Sequence, residues 1–495
     1  MHPVLLLDDV LRQIFDFCPT ACLPAAARSC RSWADPALDG VWKNMGSLVP
    51  LLNLIPGLIC VDGVYAVRSG DSPDLEVFNS YAFRIKHITQ RHDTRIHPQL
   101  LSLLCAPGNP MLNRLTSTRL SSTHAHCAPA ALSLSPNLRQ LDLDFGFKNR
   151  GRDGSGDYVE NLLRVASGLE HVRLRGLADQ TLDNAISHMT NLRSLTLRTG
   201  TFLTAETLVA ISTFPRLVKL DIEAAHLDVD ALHEAWSSSA VRFQAIKNLH
   251  IRAQATLIEL FLKTIPLASL HTLRIEATTP SGSSPVCWSR IFDLIGTNGS
   301  QTLHDLTIEQ HLDDIDLDTI PTTSSGTHTQ QIESVIQNNR ITFDIIRRLA
   351  GLHHLRILTI NTTYIPNLCD QDIEALVTWW PHLEHLDLGS LHSSECHPSL
   401  GSPRATLGCL RAFASSMPQL HTLFLPLDLG VVPSLPPVIG SSGLSRATFS
   451  SSAPPPDPTA LACYLSALFP RLIEVEGTDH DGAEWSKVQQ AIRSL

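Results

Sequence analysis

The hydrophobic residues of this sequence recur in one pattern, in which an apolar position is followed by others three and five residues later. Ten copies run through most of the chain: Leu138-Leu141-Leu143, Leu169-Val172-Leu174, Leu192-Leu195-Leu197, Leu217-Leu220-Ile222, Ile246-Leu249-Ile251, Leu270-Leu273-Ile275, Leu303-Leu306-Ile308, Leu355-Leu358-Ile360, Leu383-Leu386-Leu388 and Leu420-Leu423-Leu425. Weaker copies lie at Ile85-Ile88, Leu112-Leu115, Leu444-Ala447-Phe449 and Leu472-Val475. Because successive side chains of a strand point to opposite faces, each copy predicts a short strand with one buried face.

Segments with helical spacing separate these strands. Leu182, Ile186 and Met189 form one such segment, and an aspartate that precedes another, Asp228, suits a helix N-cap. A unit of strand and helix repeated in this way resembles the leucine-rich repeat. The predicted fold is therefore α/β, a leucine-rich-repeat solenoid with a curved parallel sheet and helices on its convex side. The longest interval without a copy runs from Leu303 to Leu355.

The N-terminal 45 residues do not follow the repeat and predict a small all-α module. A run from Leu6 to Phe15 is followed by Leu23, by Cys30-Arg31-Ser32-Trp33 and by Val41-Trp42. This order and spacing resemble the F-box, and an F-box followed by degenerate leucine-rich repeats resembles the divergent F-box proteins of fungi. We therefore expect a helical module at 1–45, connecting helices and weak repeats at 46–135, the solenoid at 136–477 and a C-terminal helix at 478–495.

The resemblance implies a function in protein recognition. An F-box-like module docks onto a Skp-type adaptor of a cullin-based ubiquitin ligase, and the repeats present a protein substrate. The apolar residues expected to contact the adaptor are Leu6, Val10, Leu11, Ile14, Phe15 and Trp33. The alternative is that these residues only close the N-terminal end of the solenoid, as capping units do, in an adaptor-independent interaction scaffold.

Charged residues occupy the strand positions that face away from the predicted core. On the concave face these are Arg173, Arg175, Arg198, His250, Arg252 and Arg274. Arginines on neighbouring strands suit bidentate binding of carboxylates or of a phosphorylated segment, so this set is the predicted substrate-binding surface. The alternative is that they pair with Asp221, Glu223 and Glu276 and only keep the sheet soluble.

Composition and motifs exclude several other classes of function. A net charge of -10 argues against binding of nucleic acid, and no apolar stretch is long enough to predict a membrane span. The 11 scattered cysteines predict reduced thiols and a cytoplasmic or nuclear location, or both. No phosphate-binding, nucleophile or zinc-protease motif is present, so we predict neither enzymatic activity nor a cofactor. His392, Cys396 and His397 are interpreted as loop residues rather than metal ligands.

Overall fold

The computed structural model of the chain describes residues 7–68, 73–90, 94–104, 112–121, 135–146, 162, 164–176, 180–199, 203–236, 242–278, 286–299, 302–310, 340–362, 364–389, 403–434, 442–451, 453–477 and 482–494. The chain divides into two compact units, Met1–Leu217 and Val218–Leu495. Each unit is built on a parallel sheet in which the strands follow one another in chain order.

The first unit joins a helical segment to the start of the repeat sheet. Its strands are β1 (Asn44–Met45), β2 (Leu58–Val61), β3 (Val64–Val67), β4 (His87–Gln90), β5 (Arg95–Ile96), β6 (Ser117–Ser121), β7 (Gln140–Asp144), β8 (His171–Arg175) and β9 (Ser194–Arg198). Its helices are α1 (Asp8–Asp16), α2 (Leu23–Ser29), α3 (Arg31–Lys43), α4 (Val49–Leu52), α5 (Glu76–Ala82), α6 (Pro98–Leu104), α7 (Gln180–Ser187) and α8 (Ala205–Ser212). In the repeat sheet, β1, β4, β6, β7, β8 and β9 each pair in parallel with the next.

The second unit continues the same alternation of strand and helix. Its strands are β10 (Lys219–Glu223), β11 (Asn248–Gln254), β12 (Thr272–Thr278), β13 (Asp305–Gln310), β14 (Ile357–Thr362), β15 (His385–Asp387), β16 (Thr422–Pro426), β17 (Arg446–Ser450) and β18 (Glu474–Gly477). Its helices are α9 (Val229–Trp236), α10 (Ala255–Thr264), α11 (Trp288–Asn298), α12 (Phe343–Ile346), α13 (Asp370–Leu376), α14 (Leu410–Ser416), α15 (Pro458–Leu468) and α16 (Gly482–Ser494). All eight pairings between successive strands are parallel.

The register of the strands aligns the leucines of successive repeats. In the second unit Leu220 lies opposite Leu249, which lies opposite Leu273. The series continues through Leu306, Leu358, Leu386 and Leu423. These side chains are at most 2% exposed, and burial of one leucine is worth about 1.5–3 kcal/mol. The same in-register leucines therefore form one continuous core along the sheet of this unit.

The α/β leucine-rich-repeat fold predicted from the sequence pattern is confirmed by this parallel strand order. Three of the four weaker copies form strands, which are β4, β17 and β18. The copy at Leu112-Leu115 was placed three residues too early, because β6 begins at Ser117 and its Thr118 lies opposite Leu141. β13 and β14 flank the longest interval without a copy and are hydrogen-bonded neighbours in the sheet of the described residues. The predicted domain boundaries at 45, 135 and 477 remain predictions.

Two local features were not predicted from the sequence. β1 has no leucine, yet Asn44 and Met45 pair with β4 and begin the repeat sheet directly after α3. β2 and β3 form an antiparallel hairpin, and its turn residues Asp62 and Gly63 have φ angles of 51° and 77°. An Asp-Gly pair is typical of such a turn because glycine adopts positive φ without steric strain.

The helices α1, α2 and α3 form the N-terminal module. Its core contains Leu11, Phe15, Leu23 and Ala37. A Cβ atom at Gly40 of α3 would lie 2.8 Å from Cδ1 of Leu23, so the absence of a side chain lets α2 approach α3 closely. The module thus has a hydrophobic core of its own.

Candidate interaction surfaces

One face of α1 is apolar and exposed. Leu7, Val10, Ile14 and Phe17 follow one another at spacings of three and four residues, which places them on the same side of the helix. Leu7 is 55% exposed, Ile14 40% and Phe17 91%, while Val10 is half-buried. We call these four residues the apolar stripe of α1. Side chains of this size at such exposure are typical of a surface that binds another protein.

The structure separates the residues predicted to contact an adaptor. Leu11 and Phe15 are 1% and 6% exposed in the core of the module, so this conformation offers them no contact with a partner. Trp33 is half-buried, with its ring centroid 5.8 Å from that of Phe15 in an edge-on arrangement. Val10 and Ile14 lie on the apolar stripe of α1, and Leu6 lies outside the described residues.

Leu7 and Phe17 belong to this surface but were not among the predicted contact residues. The available signal was the spacing of Leu7, Val10, Ile14 and Phe17, which marks a second apolar line beside Leu11 and Phe15. A sequence pattern shows that a helix has a wide apolar sector, but it does not show which half is buried.

Polar contacts hold the N-terminal module against the segment that follows it. Asp39 on α3 forms ion pairs with both Arg12 of α1 and Arg84, which follows α5. Arg84 also pairs with Asp35 at 2.6 Å. Because α3 leads directly into β1, these pairs fix the module to the first strands of the repeat sheet in this unit.

The open face of the second unit carries a network of ion pairs. By open face we mean the strand positions that alternate with the buried leucines. His250 on β11 lies between two carboxylates, 3.1 Å from Asp221 on β10 and 3.0 Å from Glu276 on β12. Burial alone would lower the pKa of His250, but the hydrogen bonds with Asp221 and Glu276 outweigh it and raise that pKa above 6.5. The two carboxylates therefore favour the charged form of the imidazole.

Two arginines extend this network to the neighbouring strands. Arg274 contacts Glu276 at 3.2 Å and Glu309 at 2.9 Å. Arg252 lies 3.8 Å from both Glu223 and Glu276. The hydrogen bond with His250 is the main reason that the pKa of Glu276 falls from 4.5 to about 2. The pairing considered as the alternative for the concave-face residues is thus present at His250, Arg252 and Arg274.

The open face of the first unit has a different charge pattern. Arg119 binds Asp142 at 2.7 Å, while Arg173 lies 3.8 Å from the same carboxylate and its side chain is 42% exposed. Arg175 is exposed and forms no ion pair with a described residue. Arg198 is half-buried on β9, opposite Arg175 in the register. Some of the arginines on the predicted surface therefore form ion pairs within the protein, while Arg175 is exposed.

Metal ligands and membrane-spanning helices were also sought among the residues that the structure describes. Among them, no group of three or more His, Cys, Asp or Glu side chains is arranged to hold a metal ion. No described helix combines the length and apolar character that crossing a membrane requires. His392, Cys396 and His397 lie outside the described residues.

Comparison with solved structures shows a similarity of fold. No family model matches the sequence, and no curated protein matches it. Among solved structures, the chain is similar to the crystal structure of the leucine-rich repeat-containing protein LegL7 from Legionella pneumophila. The identity is 12%, the match covers 81% of this chain and 96% of that chain, and the TM-score is 0.31. The repeat architecture described above rests on the strand order and register of the chain itself.

Proposed function

We propose that this protein is the substrate-recognition subunit of a ubiquitin ligase of the Skp/cullin/F-box type. The N-terminal module binds a Skp-type adaptor, and the open face of the repeats binds a protein substrate. Such a subunit has no active site of its own. It accelerates ubiquitin transfer by holding a substrate lysine close to the loaded conjugating enzyme, which raises the effective concentration of the reacting groups.

The observation that carries this proposal is the apolar stripe of α1. A unit that only capped the solenoid would turn its apolar residues towards the first repeat. In this module Leu11 and Phe15 already supply the internal core, and Leu7, Ile14 and Phe17 remain on the surface. A helix that presents such a stripe suits docking into an apolar groove of a partner. The resemblance to the F-box implies that this partner is the Skp-type adaptor.

A second candidate function is an interaction scaffold that needs no adaptor. It is favoured by the ion pairs of Asp39 with Arg12 and Arg84, and by the ring contact between Trp42 and Tyr81 at 4.8 Å. These contacts hold the module against the following helices, as expected for an N-terminal cap. The two candidates differ in whether the apolar stripe of α1 has a partner.

Binding to a purified Skp-type adaptor tests the proposal. The full-length protein and an Ile14→Asp, Phe17→Asp double variant are each run with the adaptor on a size-exclusion column. We expect co-elution of the wild type and a shift of the double variant to separate peaks, because a charge on this stripe would be buried without a partner in the complex.

The control is a Val431→Asp, Ile473→Asp double variant. These residues are 78% and 70% exposed in the second unit, so the variant adds the same two charges to exposed apolar positions outside the module. It should co-elute with the adaptor like the wild type. Thermal unfolding of all three proteins checks that they are equally folded. Separate elution of wild type and adaptor would contradict the ligase function and leave the scaffold.

A further inference from the structure

We infer that His271 and His304 form a binding site for a divalent transition-metal ion such as Zn²⁺. The two histidines occupy the same position in consecutive repeats of the second unit, directly before β12 and β13. They lie at the side of the sheet where these strands begin, outside the open face. The inference therefore goes beyond the proposed function and does not depend on it.

The backbone holds the two residues side by side. The backbone N–H of His304 donates to the carbonyl of His271 at 2.9 Å, and the N–H of His271 donates to the carbonyl of Lys247 at 2.8 Å. The carbonyl of His304 in turn accepts from the N–H of Arg356 at 2.8 Å. These hydrogen bonds continue the parallel ladder of the sheet, so the two histidine side chains start from fixed positions in neighbouring repeats.

The two imidazole rings lie close to the separation that a shared ion requires. Their centroids are 5.7 Å apart, with an angle of 58° between the ring planes. A zinc ion binds histidine nitrogen at about 2.0–2.1 Å, so the centroids of two imidazoles on one tetrahedral ion lie about 5 Å apart. Because His271 is exposed, a small rotation of its side chain is sufficient to bring both rings onto one ion.

A backbone carbonyl sets the tautomer of His304. Nδ1 of His304 lies 3.1 Å from the carbonyl oxygen of His354, and a carbonyl oxygen only accepts hydrogen bonds. Nδ1 therefore carries the hydrogen of the neutral ring, and Nε2 has the free lone pair. Histidines that bind metal ions are typically oriented in this way, with the second ring nitrogen donating to a carbonyl or a carboxylate.

The neighbouring residues at this position of the repeat are less suited to a metal ion. Lys247 precedes the two histidines and Arg356 follows them, and both side chains are hydrogen-bond donors without a lone pair at neutral pH. Glu384, one repeat further, is ion-paired with Arg356 at 3.5 Å. Imidazole nitrogen favours zinc, copper and nickel ions over magnesium and calcium ions, which prefer oxygen ligands.

A bound ion would connect two repeats through their side chains. Structural zinc sites have four protein ligands, whereas here water fills the positions that the two histidines leave open. We therefore expect an ion that exchanges with the solvent. Because it binds where the two rings lie side by side, it binds the folded unit in preference to the unfolded chain and stabilises the fold.

Chemical modification of the histidines measures the site residue by residue. Diethyl pyrocarbonate acylates an imidazole nitrogen that has a free lone pair, and a bound metal ion blocks this nitrogen. The full-length protein is first treated with iodoacetamide, so that accessible thiols do not bind zinc. It is then acylated with and without ZnCl2, and tandem mass spectrometry gives the rate at each histidine.

Zinc should slow the acylation of both His271 and His304. At a zinc concentration about ten times the dissociation constant, we expect both rates to fall by about tenfold, while MgCl2 should protect neither residue. His353 is the control, because it is exposed and its Nδ1 also contacts a backbone carbonyl, that of Trp379 at 3.0 Å. Its rate should be the same with and without zinc.

A His271→Ala variant tests whether the two histidines share one ion. Because a single imidazole holds zinc weakly, His304 should lose its protection in this variant. A His353→Ala variant should leave the protection of both residues unchanged, and circular dichroism checks that both variants are folded. Equal acylation rates of the wild-type pair with and without zinc would overturn the inference, as would continued protection of His304 in the His271→Ala variant.

Discussion

Nε2 of His250 lies 3.0 Å from Oε1 of Glu276 on the neighbouring strand. The two residues are diagonal neighbours, because Arg252 and not His250 lies directly opposite Glu276 in the register. Asp221 on β10 contacts the other ring nitrogen of His250, at 3.1 Å. Together these contacts join three successive repeats of the second unit through their side chains, in addition to the backbone ladder.

Replacing Glu276 with Gln should destabilise the protein at neutral pH by about 1.5–3 kcal/mol, the range for hydrogen bonds to charged groups. The pKa of Glu276 is lowered to about 2, so its carboxylate contributes stability above its unfolded pKa and loses it as the pH falls through the folded pKa. The free energies of unfolding in urea of the wild type and the variant should differ by this full amount at neutral pH. The difference should shrink between pH 4.5 and pH 2, and a constant difference there would contradict this account.

Replacing His250 with Gln should have the opposite pH dependence. The pKa of His250 is raised because its hydrogen bonds with Asp221 and Glu276 outweigh burial. The charged imidazole therefore contributes stability below pH 6.5, and this contribution is lost as the pH rises through the folded pKa. The gap in unfolding free energy between wild type and variant should be largest in mildly acidic solution and decrease in alkaline solution. A difference in unfolding free energy that grows with pH would contradict a stabilising role for the contacts of His250 with Asp221 and Glu276.

The two apolar faces of α1 should respond differently to truncation. Leu11→Ala removes a side chain that is 1% exposed, and we expect a loss of about 2–5 kcal/mol in unfolding free energy from the cavity that remains. Ile14→Ala, at a residue 40% exposed, should cost well under about 1 kcal/mol. Chemical denaturation of the full-length protein, followed by fluorescence of Trp33 and Trp42 in single-tryptophan backgrounds, measures both. Equal losses would mean that the stripe is also core.

The last strand of the second unit is capped by a side chain. Oε1 of Gln489 accepts a hydrogen bond from the backbone N–H of Val475 at 2.6 Å, and its Nε2 donates to the carbonyl of Ile473 at 2.9 Å. Gln489→Ala should therefore speed amide exchange of Val475 without changing the rest of the unit, because an edge strand loses its substitute for a neighbouring strand. Gln490→Ala, at the adjacent exposed position, is the control and should leave this exchange unchanged.

The apolar pattern was sufficient to predict the repeat fold because it is a local property with a fixed period. Leu249 and Leu273 are each identified by the short apolar pattern around them. Because every strand has to bury its leucine face, the strands stack in parallel with these faces on the same side of the sheet. β1 was not predicted because Asn44 and Met45 do not match the apolar pattern of the repeats. Their strand forms through hydrogen bonds to β4, which lies more than forty residues away along the chain.

Thus the sequence by itself determined the α/β repeat architecture, the in-register leucine core and the charged positions of the open face, all of which depend on residues a few positions apart. The tertiary structure decided which half of the apolar sector of α1 is buried, since that depends on where α3 packs. It also decided that Arg274 is held by Glu309 while Arg175 has no ion pair with a described residue. Such differences depend on strand register and side-chain distances between repeats, which a one-dimensional pattern does not contain.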